Sequence, residues 1–146
     1  VSTEELHRVQ ENYCIYGGAD AKKESADKTG VEGEFSANGY EGNLLTHTKG
    51  TMSLYHGDDD KNGADTEFFI MLTDSKTRDG KYAAFARVIY GMETVEAIGR
   101  VPVTTQKGVN KENSLPKTEI IIESVYFVTI PEGGSSGNSG SNDAVH

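Results

Sequence analysis

The stretch LHRVQENYCIYGG, Leu6 to Gly18, sets one arginine among apolar and aromatic residues and ends on a glycine pair. Val, Ile and Tyr suit a pleated, half-buried surface, and Gly17-Gly18 is turn chemistry. The stretch therefore reads as one strand, or two short ones, ending in a turn. By local pattern alone Arg8 is a surface residue whose aliphatic stem lies over its neighbours. Cys14, between Tyr13 and Ile15, reads as a small packed hydrophobe rather than a catalytic thiolate.

Outward from this stretch, strands recur at short intervals. GTMSLYHG (50–57), TEFFIML (66–72) and AAFARVIYG (83–91) are apolar runs bounded by turn residues, the second expected to be buried on both sides. Between them, VEGEFSANGYEGN (31–43) reads as an ordered loop and ADAKKESADKTG (19–30) as a charged one. Met92, Val95 and Ile98 recur at spacing three between Gly91 and Gly99, which predicts a short amphipathic helix. TTQKGVNKENSLPK (104–117) reads as a long polar loop, TEIIIESVYFVTI (118–130) as a final strand, and 132–146, rich in Gly, Ser and Asn, as a flexible tail. Many short strands and one helix predict an antiparallel barrel or sandwich in one domain, 1–131.

With 146 residues and a net charge of −9, the chain opposes nucleic-acid phosphates and anionic membranes, so neither is an expected partner. Cys14 is the sole cysteine, which rules out an internal disulfide and a cysteine-based zinc site. No apolar run reaches the roughly 20 residues that span a bilayer. The first residue is Val rather than Met, so the expectation of a cytoplasmic location stands subject to whatever precedes it.

Two constellations suggest chemistry and fall short. Asp58, Asp60, Asn62 and Gly63 match the first half of an EF-hand loop, but its closing glutamate position holds Phe69, so a solvated acidic hairpin is the better reading and no metal or other cofactor is expected. His7, His47, His56 and His146 share no ligand spacing. Ser53 near His56 and Asp58 to Asp60 offers the residues of a hydrolase triad, yet no strained nucleophile elbow surrounds the serine.

Taken together, LHRVQENYCIYGG (6–18), GEFSANGYEGNLLTHTKGTMSL (33–54), TEFFIML (66–72) and DGKYAAFARVIYGMETVEAI (79–98) resemble the cyclophilins, particularly bacterial ones. The resemblance implies a mainly β fold, an eight-stranded antiparallel barrel with the active groove on its outer face, and peptidyl-prolyl cis-trans isomerase activity. Family members carry two strands and a helix before the arginine-bearing segment, where this chain has VSTEE. The domain is therefore expected to be incomplete at its N-terminal side, its final strand to lack a neighbour, and its stability to be poor.

The implied chemistry needs no nucleophile, metal or cofactor. Rotating an X-Pro bond faces a resonance barrier of about 18–20 kcal/mol, which a pocket for the proline ring and a cation bonded to the proline nitrogen would lower. By the resemblance Arg8 is that catalytic cation, preceded by His7 as in the family pattern, with Leu6 in place of the usual aromatic. The pocket positions fall on Tyr13, Cys14, Phe69, Arg78 and Tyr82, and the groove positions on Tyr16, Tyr55, His56 and Glu67. The family usually offers Phe, Met, Phe, Leu and His or Tyr in the pocket, and Gln, Ala, Asn and Gln in the groove. Arg78 puts a charge where an apolar side chain closes the pocket, Tyr55 is bulkier than Ala, and Glu67 is expected to pair with Arg8 and compete with substrate. Thr77 stands at the Trp position tied to cyclosporin contact, so inhibition by that drug is expected to be weak.

The expected function is thus isomerisation of X-Pro bonds in proline-containing peptides or unfolded clients, at reduced rate and as a monomer. The alternative is a related module that binds proline-containing peptides without fast turnover. An acidic calcium-binding surface is a third class, resting on Asp58 to Gly63 alone.

Overall fold

The computed structural model describes residues 4–18, 30–106 and 111–131. The expected charged loop at 19–29, the middle of the polar stretch at 107–110 and the expected tail with His146 lie outside the described residues. The elements in chain order are β1 (Glu4–Gln10), β2 (Cys14–Gly18), β3 (Thr51–Leu54), β4 (Phe68–Met71), β5 (Ala84–Arg87), α1 (Met92–Ile98), β6 (Val103–Thr105), β7 (Asn113–Pro116) and β8 (Ile121–Ile122). Short 3-10 turns occupy Ser36–Asn38 and Lys76–Arg78.

The opening stretch forms two strands, not one. Tyr13 N–H donates to Gln10 O at 3.0 Å and closes a turn in which Asn12 takes φ 59°, a left-handed conformation that asparagine tolerates better than most residues. The glycine pair lies inside β2 rather than after it. A Cβ on Gly17 would stand 2.5 Å from Leu6 Cδ2, and one on Gly18, at φ +96°, 2.2 Å from Thr66 O. Bare backbone lets β1 and β4 approach β2 from either side.

Six strands form one antiparallel sheet in the order β5-β3-β4-β2-β1-β8, and β6 and β7 form a hairpin beside it. The mainly antiparallel β architecture with one short helix is as expected. Among the described residues the large sheet does not close on itself, since β5 and β8 are both edges.

The sheet buries both of its faces. Leu6, Val9 and Ile15 form one core, covered by Phe68, Ile70 and Leu72 and by Val95 and Ile98 of α1. Cys14, Tyr16, Phe69 and Met71 form the other, against Tyr13, Tyr55 and Tyr82. Alternation in β2 and β4 deals their residues to the two cores in turn. In β1 a bulge between Glu5 and Arg8 breaks the alternation, so Leu6 and Val9, three apart, share a core while Arg8 pairs across to Tyr16 on the opposite face.

Two expectations are corrected. The polar stretch 104–117 contains strands: Thr104 pairs with Leu115 and Thr105 with Asn113, and Gln106 Nε2 donates to His7 O at 3.1 Å, satisfying a carbonyl at the bulge. Among the described residues the final strand is much shorter than expected, because only Ile121 and Ile122 pair, with Glu5 and Glu4. Continuing that register would need partners before Glu4, outside the described residues. Val125, Tyr126 and Phe127 are left exposed.

Candidate active site

The bulge decides where Arg8 points. It lies over the face of Tyr16, its strand partner, with Cζ 4.5 Å from the ring centroid. Its Nε donates to Glu112 Oε2 at 2.8 Å, and Gln10 Nε2 and Ser114 Oγ donate to the same carboxylate at 2.7 and 2.9 Å. Burial would push the Glu112 carboxyl up, but these three bonds outweigh it and hold it below its ordinary value. For Arg8 burial works against the charge, and the bond to Glu112 reverses the balance and raises its pKa. Glu112 is the residue that sequence reasoning missed. It lies 104 positions from Arg8 in a stretch read as loop, with no local signal to single it out.

Around Tyr16 the expected aromatic residues converge. Its ring meets Tyr55 edge-on at 5.5 Å and Phe69 at 5.7 Å, and Phe69 meets Tyr82 edge-on at 5.2 Å. Edge-to-face packing at such distances fixes the rings relative to one another. Beneath them Cys14 is fully buried and donates its Sγ–H to Gln10 Oε1 at 3.2 Å, and burial raises its pKa, so it is a packed thiol.

The pocket these rings define is filled by Arg78. Its Cζ stands 4.4 Å from the Phe69 centroid, 4.9 Å from Tyr13, 5.1 Å from Tyr82 and 5.8 Å from Tyr16. Nε donates to Tyr13 Oη at 2.9 Å and Nη2 to Tyr16 Oη at 2.7 Å. The guanidinium fills the space between these rings. An open concavity of about 270 Å³ lies instead among Asn12, Lys49, Leu72, Thr73, Glu96, Gly99 and Arg100, away from Arg8 and the aromatic cluster.

The remaining expected groove residues separate. Glu67 does not pair with Arg8; its Oε1 meets His7 Nε2 at 2.9 Å, while Arg8 pairs with Glu112. His56 is buried, with its ring nitrogens 2.8 Å from Gly57 O and Lys81 O, and it stacks on Phe35 at 5.0 Å. It supports Tyr82, whose ring lies 4.7 Å away, and has neither nitrogen spare for a substrate.

The hydrolase residues regroup. Ser53 bonds not to His56 but to His47, Oγ to Nε2 at 2.7 Å, and His47 Nδ1 faces Asp79 Oδ1 at 3.2 Å. The order Asp-His-Ser is that of a triad, but Ser53 is 0% and His47 2% exposed, so no substrate carbonyl reaches the hydroxyl. Burial lowers the His47 pKa and favours the neutral ring, which stacks on Phe69 at 5.8 Å from below. In the acidic hairpin, Asn62 Oδ1 accepts from Gly33 N and Asn38 Nδ2 at 2.9 and 2.8 Å, tying two loops together.

The comparisons agree with this geometry. Residues 2–126 match the family model described as cyclophilin type peptidyl-prolyl cis-trans isomerase/CLD. The chain is 31% identical to a peptidyl-prolyl cis-trans isomerase of Acinetobacter baylyi, over 86% of this chain and 65% of that protein. It is 28% identical to peptidyl-prolyl cis-trans isomerase-like 3 of Dictyostelium discoideum, over 86% and 72%. A crystal structure of a Cryptosporidium parvum cyclophilin type isomerase, determined in the presence of the dipeptide Ala-Pro, superposes with a TM-score of 0.65 at 22% identity, covering 84% of this chain and 72% of that one. The chain thus spans a little under two thirds of the Acinetobacter protein. An arginine set over a cluster of aromatic rings on one sheet face, the family match along most of the chain and the shared fold lead to one conclusion: the chain belongs to the cyclophilin-type peptidyl-prolyl cis-trans isomerase family.

Proposed function

We propose that this chain catalyses cis-trans isomerisation of X-Pro bonds in proline-containing peptides or unfolded clients, more slowly than a member of its family with an open pocket. The observation that carries the reading is Arg8. Glu112 takes its Nε, which leaves both Nη groups unclaimed among the described residues, on the face that carries Tyr16, Phe69 and Tyr82. A guanidinium stays charged at any working pH and offers a rigid fork of donors. Bonded to the proline nitrogen, it withdraws the lone pair from amide resonance and lowers the barrier of about 18–20 kcal/mol. No covalent bond changes, so no nucleophile is needed.

A second reading is a module that binds proline-containing peptides without fast turnover. It is favoured by Arg78, whose guanidinium stands where a proline ring would be gripped. NMR exchange spectroscopy on a short Ala-Pro peptide tests both. Enhanced exchange that disappears in a folded Arg8→Ala variant supports catalysis. Peptide shift changes without enhanced exchange support binding alone.

A further inference from the structure

The Arg78 guanidinium lies among four aromatic rings, and the hydrogen bonds it makes go to the phenol oxygens of Tyr13 and Tyr16. Its Nη1 is buried with no hydrogen-bond partner among the described residues. No carboxylate forms an ion pair with it there, although the chain carries 23 acidic residues against 14 Lys and Arg. Its neighbour Asp79 is turned to His47, accepting from the backbone N at 2.6 Å and facing Nδ1. Buried charges are ordinarily paired, and a guanidinium held by neutral groups with a donor unused lacks its natural complement, an anion in the plane of the fork.

We propose that Arg78 makes this pocket selective for X-Pro peptides that carry a carboxylate at or next to the proline. The ligand supplies the counter-ion that the chain withholds. The partly exposed rings of Tyr55 and Tyr82 offer the pyrrolidine ring apolar surface, while the carboxylate meets Arg78. Both Arg8 and Arg78 stand against the one Tyr16 ring, so the same face presents two cations to an anionic ligand. The inference deepens the reading above and rests on it for the X-Pro part of the ligand. The carboxylate itself has two sources, the C-terminus of a chain ending in proline or an acidic side chain following it.

Three peptides separate them: acetyl-Ala-Pro with a free carboxylate, its C-terminal amide, and acetyl-Ala-Pro-Asp-amide. Each is titrated into the wild-type chain and into Arg78→Leu and Arg78→Lys, with folding checked by circular dichroism. The wild type is expected to bind at least one acid about tenfold or more tighter than the amide, the scale of a charge-assisted hydrogen bond. The acid preferred identifies the source. Arg78→Leu erases the preference and Arg78→Lys keeps part of it.

Equal affinities in the wild type overturn the proposal, as does a preference that survives in Arg78→Leu, which assigns the charge reading to Arg8. Failure of the folded wild type to bind any of the three also overturns it. If in that case Arg78→Leu gains binding, Arg78 is a plug. The wild-type comparison decides even if neither variant folds. Exchange enhancement on the amide without acid preference sinks this inference and leaves the isomerase reading; acid preference without exchange enhancement does the reverse.

Discussion

Strand β2 faces two interiors that share its backbone and differ in chemistry. Through Ile15 it enters a core of Leu6, Val9, Ile70, Val95 and Ile98, where every side chain is apolar and area removed from water is the main stabilising term. Through Cys14 and Tyr16 it enters a layer whose floor is buried but whose rim is partly exposed, holding two guanidiniums, a thiol and phenol hydroxyls. The first face holds the sheet and helix together. The second holds half-buried charges against aromatic rings, so hydrogen bonds and ring contacts decide what the layer can do. The comparison teaches that burial alone does not mark a core as structural; the unused donors and the source of the counter-charge do.

The largest expected effect is on the apolar face. Ile15 is 1% exposed, and Ile15→Ala should cost about 2–5 kcal/mol of stability, read as a lower urea midpoint. A loss well under about 1 kcal/mol would mean that this face is not the stabilising one. On the charged face, Arg8→Ala should remove the exchange enhancement, at least about tenfold, while shifting stability by about 1 kcal/mol or less. Equal losses of fold and exchange would erase the contrast between the faces.

A smaller effect is expected from Glu112→Gln. The side chain keeps a hydrogen-bond acceptor for Arg8 but loses its charge, so exchange enhancement should fall about threefold, less than for Arg8→Ala. A rise in exchange would show that Glu112 restrains Arg8 rather than orienting it.

The smallest effect is a pH dependence beneath the charged layer. Burial lowers the His47 pKa below its ordinary 6.5, so between those two values the unfolded chain binds more protons than the folded one. The contribution of His47 to stability is full above about 6.5 and is lost as pH falls toward the folded value. Melting temperature should therefore drop on acidification below that point, less steeply in His47→Gln. Parallel profiles would relieve His47 of this role.

Legibility from sequence followed the strength of the local pattern. TEFFIML gave β4 because five of its side chains alternate between two cores, and Met92, Val95 and Ile98 gave α1 through their spacing. The hairpin of β6 and β7 was not legible, since Thr104, Thr105, Asn113 and Ser114 are polar residues whose pairing depends on docking beside β1. The run at 118–130 has the composition of a long strand, yet pairing needs a partner edge, and among the described residues β1 offers one only to Ile121 and Ile122. In the site, the family motifs named Arg8, Tyr13, Tyr16, Phe69, Arg78 and Tyr82, which the fold brings together. The departure from the family's Gln to Glu67 suggested a partner for Arg8, but Glu67 meets His7 and Arg8 meets Glu112.

What the amino-acid sequence determined by itself is what neighbours along the chain can express: the period of two that makes strands, the period that makes α1, and the permanent charge of Arg8 and Arg78. The tertiary structure alone decided the partners of those charges. Arg8 met Glu112, and Arg78 met phenols with no acid among the described residues. Such pairings join residues far apart in the chain, so they depend on which strands meet and on where a bulge turns one side chain, and no local pattern encodes either.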